Sequence, residues 1–208
     1  LIIRLSARNS RCPNFPFSEY YSTVKESIAP DAVVVPNIQV EDAKNFEKLS
    51  YKITEDNSQG NFYVDYRNPR RVSVRARKAL DRDTMPSILQ GMYTLTVTAR
   101  NERCASSVNV KIMVEDENDN APVFPKQEYV VEVKENTLKG HVVTQLVASD
   151  KDELDQGRMR YFIAGGTPNR EFQIEENTGD LSVEVPPDRE ENPSFMLSIL
   201  AVDSANNT

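Results

Sequence analysis

The residues best equipped for chemistry in this 208-residue chain are acids and amides. Val114-Glu115-Asp116-Glu117-Asn118-Asp119-Asn120-Ala121-Pro122 carries them in an unbroken run. Left bare, such a run repels itself. Hard oxygen ligands at this density suit calcium, which takes roughly 6–8 oxygens from carboxylates, amides and backbone carbonyls. Further carboxylates stand at Glu26, Asp81 and Asp83 before the run, and at Asp150, Asp152 and Asp203 after it. The competing reading of the run alone is a solvated acidic loop. Other chemistries lack parts. One His and two Cys fall short of the ~4 ligands of a Cys/His metal cluster. A Ser-His-Asp arrangement would depend on His141, which sits at a strand entrance in Lys139-Gly140-His141-Val142-Val143. No GxGxxG or GxxxxGK[ST] loop is present to cradle phosphate.

Charge and composition narrow the class. With 25 Lys and Arg against 32 Asp and Glu the net charge is −7, which argues against nucleic-acid binding and favours cations or basic partners. At 38% hydrophobic and 27% charged, the chain can pack cores. No stretch approaches ~18 consecutive apolar residues. Leu1-Ile2-Ile3-Arg4-Leu5 is too short for a signal peptide.

The elements that must hold the acids are strands. Val108, Val110, Ile112 and Val114 share one face, with Asn109, Lys111 and Met113 on the other. Tyr93/Leu95/Val97/Ala99, Val72/Val74/Ala76, Tyr129/Val131/Val133 and Phe195/Leu197/Ile199/Ala201 repeat the pattern. Period-two alternation of this kind marks half-buried strands. Turn signals such as Asn68-Pro69, Asn177-Thr178-Gly179 and Pro186-Pro187 punctuate them, which predicts antiparallel sandwiches. The chain also repeats itself. Pro13 precedes Glu26 by the same 13 residues that separate Pro122 from Glu135, an offset of 109. Leu80-Asp81-Arg82-Asp83 answers Pro187-Asp188-Arg189-Glu190, and Thr98–Asn101 answers Leu200–Asp203. Two homologous units of roughly 109 residues therefore follow one another, cut from a longer array.

The linker Asp116–Pro122, with Lys134-Glu135-Asn136, Asp150-Lys151-Asp152, Asp188-Arg189-Glu190 and Ala201-Val202-Asp203, resembles tandem cadherin extracellular repeats. The resemblance implies an all-β chain of two seven-stranded Greek-key, Ig-like sandwiches. It divides the chain into the end of a preceding repeat (1–11), one repeat (12–115), a calcium-binding linker (116–121) and a repeat lacking its last strand (122–208). It implies about three calcium ions at the linker. Glu26, Asp81, Asp83 and Asp119 would hold the outer ion. Glu26, Asp83, Asp119, Asp152 and the Glu117 carbonyl would hold the middle one. Asn118, Asp150, Asp152, Asp203 and the carbonyls of Asn120 and Gln156 would hold the inner one. Asp83 stands where the family usually has Glu, and its shorter arm weakens the expected bridging. Glu135, Asp188 and Glu190 would be half of the next linker.

The implied function is calcium-dependent cell–cell adhesion, not catalysis. The setting is the extracellular part of a single-pass surface glycoprotein, with other cadherin ectodomains as partners, homophilic or heterophilic. The alternative is a heterophilic ligand-binding segment using the basic stretch Arg67, Arg70, Arg71, Arg75, Arg77 and Lys78. Asn206-Asn207-Thr208 is an N-glycosylation sequon at Asn206.

The pattern fails ahead of the first unit. Ala7-Arg8-Asn9-Ser10-Arg11 replaces the linker acids, Val40-Glu41-Asp42-Ala43-Lys44 loses the paired spacing, and Asn101 stands for Asp203. A calcium-free junction is expected there. In the family fold Cys12 and Cys104 lie at that same pole, so a disulfide is implied, with two free thiols as the alternative.

Overall fold

The computed structural model describes residues 12–41, 48–167 and 170–208. Two units divide between Glu117 and Asn118. The expected calcium-free junction in residues 1–11, and its Asp42–Lys44 portion, lie outside the described residues.

Among the described residues the first unit has seven strands: β1 (Glu19–Lys25), β2 (Val33–Gln39), β3 (Ser50–Asp56), β4 (Phe62–Asp65), β5 (Arg71–Ala76), β6 (Met92–Arg100) and β7 (Ala105–Glu115). One sheet runs β1-β7-β6-β3 and the other β2-β5-β4. All neighbours are antiparallel except β1 and β7, which run parallel from Glu19↔Asn109 to Lys25↔Glu115. The inward residues are those the alternation marks. Val108, Val110, Ile112 and Val114 of β7 meet Val72, Val74 and Ala76 of β5 in one core, all fully or almost fully buried. Each of these valine and isoleucine side chains contributes about 1.5–3 kcal/mol relative to exposure. A disulfide joins Cys12, ahead of β1, to Cys104 in the β6–β7 loop, with Cα atoms 5.7 Å apart and 92 residues between them in sequence.

Within this unit Arg67, Arg75 and Arg77 of the basic stretch have side-chain partners. Asp65 accepts from Arg67 (Nε, 2.9 Å) and from Arg75 (Nε, 2.7 Å), while Arg77 lies over the Tyr63 ring at 5.1 Å. The Arg67 guanidinium, followed by that of Arg75, holds the Asp65 carboxyl well below the usual carboxylate range.

The second unit contains β8 (Val142–Gln145), β9 (Arg160–Thr167), β10 (Phe172–Ile174), β11 (Asp180–Val183) and β12 (Met196–Val202). Its sheets run β10-β11-β8 and β12-β9. Asn177-Thr178-Gly179 turns β10 into β11, and Gly179 takes φ +72°. A Cβ there would overlap the Leu146 carbonyl. One expected strand differs. Tyr129, Val131 and Val133 form no ladder, and Val130 is 85% exposed. Their counterpart in the first unit, β1, is hydrogen-bonded to β7, and no strand equivalent to β7 occurs among the described residues of the second unit. An extended segment without a partner satisfies neither its N–H nor its C=O groups in a ladder. Val133 still turns inward, against the Phe172/Leu181/Val183 cluster.

Candidate metal centre

Each unit presents carboxylates at one pole. In the first unit, β1 ends at Lys25 and delivers Glu26 into a 3% exposed position. Its backbone N–H continues the pairing to the Glu115 carbonyl (3.2 Å). Its Oε1 accepts from Glu117 N (2.6 Å) and its Oε2 from Arg82 N (2.5 Å). One carboxylate thus gathers the end of β1, the 81–83 turn and the chain leaving β7. Asp81 is exposed, and its Oδ1 closes that turn on Thr84 N (3.0 Å); Asp83 is half-buried. The Glu117 side chain accepts from Ser27, through both N–H and hydroxyl, and from Lys25 Nζ (2.9 Å). Ser27 first, then Lys25, draws its carboxyl down to about 2.

The second unit's pole is more deeply buried. Asp152 and Asp203 are 0% exposed and Asp150 is 8% exposed. They contribute one carboxylate oxygen each to a group lying within 4.8 Å of one another. Asp150 and Asp152 follow β8, where Asp150 Oδ1 accepts from Asp152 N (3.0 Å) in an Asx-type turn. The turn runs into a short 3₁₀ segment, Glu153–Asp155. Asp203 comes directly after β12. Asn120 closes on Asp152 through its backbone N–H (3.0 Å) and its amide (2.7 Å). Gln156 Nε2 donates to the Asp150 carbonyl (3.0 Å). Asp119 is exposed and accepts from the Asn120 amide (2.8 Å).

Two features of this pole call for a cation. Asp150 Oδ2 is buried with no hydrogen-bond partner. Among the described residues, no lysine or arginine pairs with Asp150, Asp152 or Asp203. Burying carboxylates without counter-charge costs several kcal/mol per ion. The donors are oxygens throughout, the set that hard divalent cations prefer over softer N and S ligands. These residues therefore fit calcium.

Sequence reasoning missed two participants. Asp155 is fully buried, with Oδ1 accepting from Ser204 N (2.9 Å) and Oδ2 from the Asn118 amide. Asn207 donates its backbone N–H to Asp203 Oδ1 (2.7 Å). Its amide reaches Asp203 Oδ2 (2.7 Å), Asn118 Oδ1 (2.6 Å) and the Asn120 carbonyl (3.3 Å). The expected site residues Asn118, Asn120 and Asp203 thus share one neighbour.

The remaining expected residues lie elsewhere in the second unit. Glu135, Asp188 and Glu190 form an exposed group within 4.8 Å of one another. The Glu135 charge, foremost, pushes the Glu190 carboxyl up. Asn206 is exposed, and its Oδ1 accepts from Arg160 Nη2 (3.0 Å). His141 precedes β8 and bonds through its backbone, as an edge residue does.

Comparison with known proteins agrees with this architecture. The sequence profile of the Cadherin domain matches residues 20–115 and 129–208. Protocadherin Fat 4 of Homo sapiens is 34% identical over 218 residues, covering 92% of this chain and 4% of that protein. Cadherin-23 of Mus musculus is 34% identical over 208 residues, covering 97% of this chain and 6% of that protein. The chain therefore spans only a small fraction of these relatives. In three dimensions it resembles the Protocadherin GammaB4 extracellular domain, with a TM-score of 0.78 at 24% identity over 94% of this chain and 31% of that one. It also resembles mouse Cadherin-23 EC22-24, with a TM-score of 0.76 at 23% identity over 96% and 62%. At these identities the structural likeness is one of fold. Among the described residues no helix is long and apolar enough to cross a membrane.

Proposed function

Because the chain belongs to the cadherin family, whose members are adhesion proteins and not enzymes, we propose that it is a calcium-stiffened segment of a cell-surface ectodomain. Its work is calcium-dependent adhesion, carried out through other cadherin ectodomains. Cadherin domains generally bind calcium, and the acids of this chain supply oxygens for it. In this reading Glu26, Asp81, Asp83, the Glu117 carbonyl and Asp119 serve the outer and middle ions, with Asp152 shared. Asn118, Asp150, Asp152, Asp203 and the carbonyls of Asn120 and Gln156 serve the inner one.

Calcium supplies the positive charge that lets these carboxylates stay close. The protein's part is to hold them. Glu26 ties β1 to the 81–83 turn, Asn120 is fastened to Asp152, and Asp203 is pinned at the end of β12. Without a cation the acids repel and the linker is free to swing; coordination replaces that repulsion and fixes its course. The observation that carries the reading is the buried trio Asp150, Asp152 and Asp203, with Asp150 Oδ2 unpartnered.

Calorimetric titration of the chain with calcium, paired with thermal melts in calcium and in chelator, tests it. About three ions per chain and a large upward melting shift are expected. Uptake of no ion, with identical melts in both conditions, would overturn it.

A further inference from the structure

We propose that Asp155 is a positioning residue that dictates which end of the Asn118 amide faces the carboxylates of the second unit; this role rests on the calcium reading above. An amide side chain has two chemically opposite ends, an accepting oxygen and a donating nitrogen. A cation takes only the oxygen. Something must therefore select between two orientations of nearly the same shape.

Asp155 makes that selection. It is fully buried, and a carboxylate there only accepts. Its Oδ2 takes the Asn118 Nδ2–H, and its Oδ1 is taken up by Ser204 N at 2.9 Å. Ser204 Oγ offers Asn118 Nδ2 a second acceptor at 3.3 Å. With Nδ2 held on that side, Asn118 Oδ1 is turned the other way. There it meets Asn207 Nδ2 at 2.6 Å, the same nitrogen that lies 2.7 Å from Asp203 Oδ2. Reversing the amide would set two oxygens against each other at Asp155 and point an N–H₂ at the place where a ligand oxygen is needed. Asp155 stands outside the group that Asp150, Asp152 and Asp203 form within 4.8 Å of one another, so it acts through Asn118 and not on the ion.

Ser204 directly follows Asp203, so the same carboxylate also steadies the loop that carries one of the proposed ligands. The sequence hides this role, since Glu153, two residues earlier in the same acidic stretch, is exposed.

The test is a double-mutant cycle on the whole chain, comparing wild type, Asp155→Asn, Asn118→Asp and the double variant. Calcium affinity is read by calorimetry and melting temperature in chelator. Asp155→Asn keeps the shape and an acceptor for Ser204 but can also donate, so it no longer imposes the amide's orientation. It should weaken inner-site calcium binding between about 10- and 100-fold, the range seen when partners of metal ligands are lost. A carboxylate at position 118 presents oxygen either way, so in the Asn118→Asp background the same change should cost nothing or improve affinity. In chelator, Asn118→Asp alone should lower the melting temperature by placing like charges together, and adding Asp155→Asn should restore it. Equal affinity losses in both backgrounds, or none in the wild type, would overturn the positioning role while leaving the calcium reading intact. A wild-type chain that takes no calcium overturns both. Should Asp155→Asn fail to fold, the Asn118→Asp melt still decides, because an unchanged melting temperature means that Asp155 does not govern position 118.

Discussion

Neutralising Asp203 should change the stability of the second unit in opposite directions with and without calcium. Asp150, Asp152 and Asp203 offer oxygens within 4.8 Å of one another. At that separation, with an effective dielectric of ~20, each pair of charges repels by about 3.5 kcal/mol. Asp203 belongs to two of the three pairs, so Asp203→Asn relieves about 7 kcal/mol in the metal-free protein. Against this stand its bonds from Asn207 N and Nδ2, both 2.7 Å. Asparagine keeps only one accepting oxygen, so one of these bonds is weakened and the other is lost, together about 3–4 kcal/mol. The balance is a gain of about 3 kcal/mol, or upwards of ~10 °C for a unit of this size. In saturating calcium the repulsion is already compensated, and the same change removes an anionic ligand, so the melting temperature should fall. The assay is a pair of thermal melts, in chelator and in millimolar calcium, on wild type and variant. A shift of the same sign in both media would refute the electrostatic account of this pole.

Two further outcomes concern the frames around the sites. The Asp65 carboxyl is depressed in the folded state, so its contribution is present above the unfolded value near pH 4 and is lost as pH falls below it. Asp65→Asn should therefore lower the first unit's melting by a few degrees at pH 7, and by progressively less as pH falls from about 4 towards the depressed folded value, as a pH series of melts would show. Gly179→Ala should cost the second unit about 2–3 kcal/mol, measured by denaturant midpoint, because a Cβ at φ +72° overlaps the Leu146 carbonyl.

Much of this architecture is legible in the residues themselves. Val108, Val110, Ile112 and Val114 alternate because one face of β7 is core, and all four are buried. The 109-residue offset carries the two-unit plan, since aligned motifs must occupy aligned places. Alternation records which face turns inward but not whether a ladder partner exists, so Tyr129–Val133 looks like a strand and pairs with nothing among the described residues. The acids were recognisable as ligand types, yet their individual depth was not. Glu153 is exposed and Asp155 fully buried within one short turn, a difference set by the 3₁₀ geometry and by Ser204, which lies far along the chain. Asn207 looked like the middle of a sequon, and only the loop after β12 brings it against Asp203. The arginines between 67 and 77 stand out in the sequence as a basic stretch that fits an exposed strand pair or a surface for an acidic partner, and the sequence does not show Asp65 reaching both Arg67 and Arg75.

The Cys12–Cys104 bridge has a mechanical consequence for the first unit. Tension entering ahead of β1 and leaving after β7 need not travel through the fold. It crosses from Cys12 to Cys104 and continues along β7 alone, bypassing the 92-residue loop that the bridge closes. Strands β1 to β6 then sit outside the stretched path, and only β7, held on one side by parallel β1 and on the other by β6, bears the pull in shear. About 300 Å of contour stays hidden while the bridge is intact. Single-molecule extension of the oxidised and reduced chain should differ by that length, making the thiol state a limiter on how far this unit can lengthen.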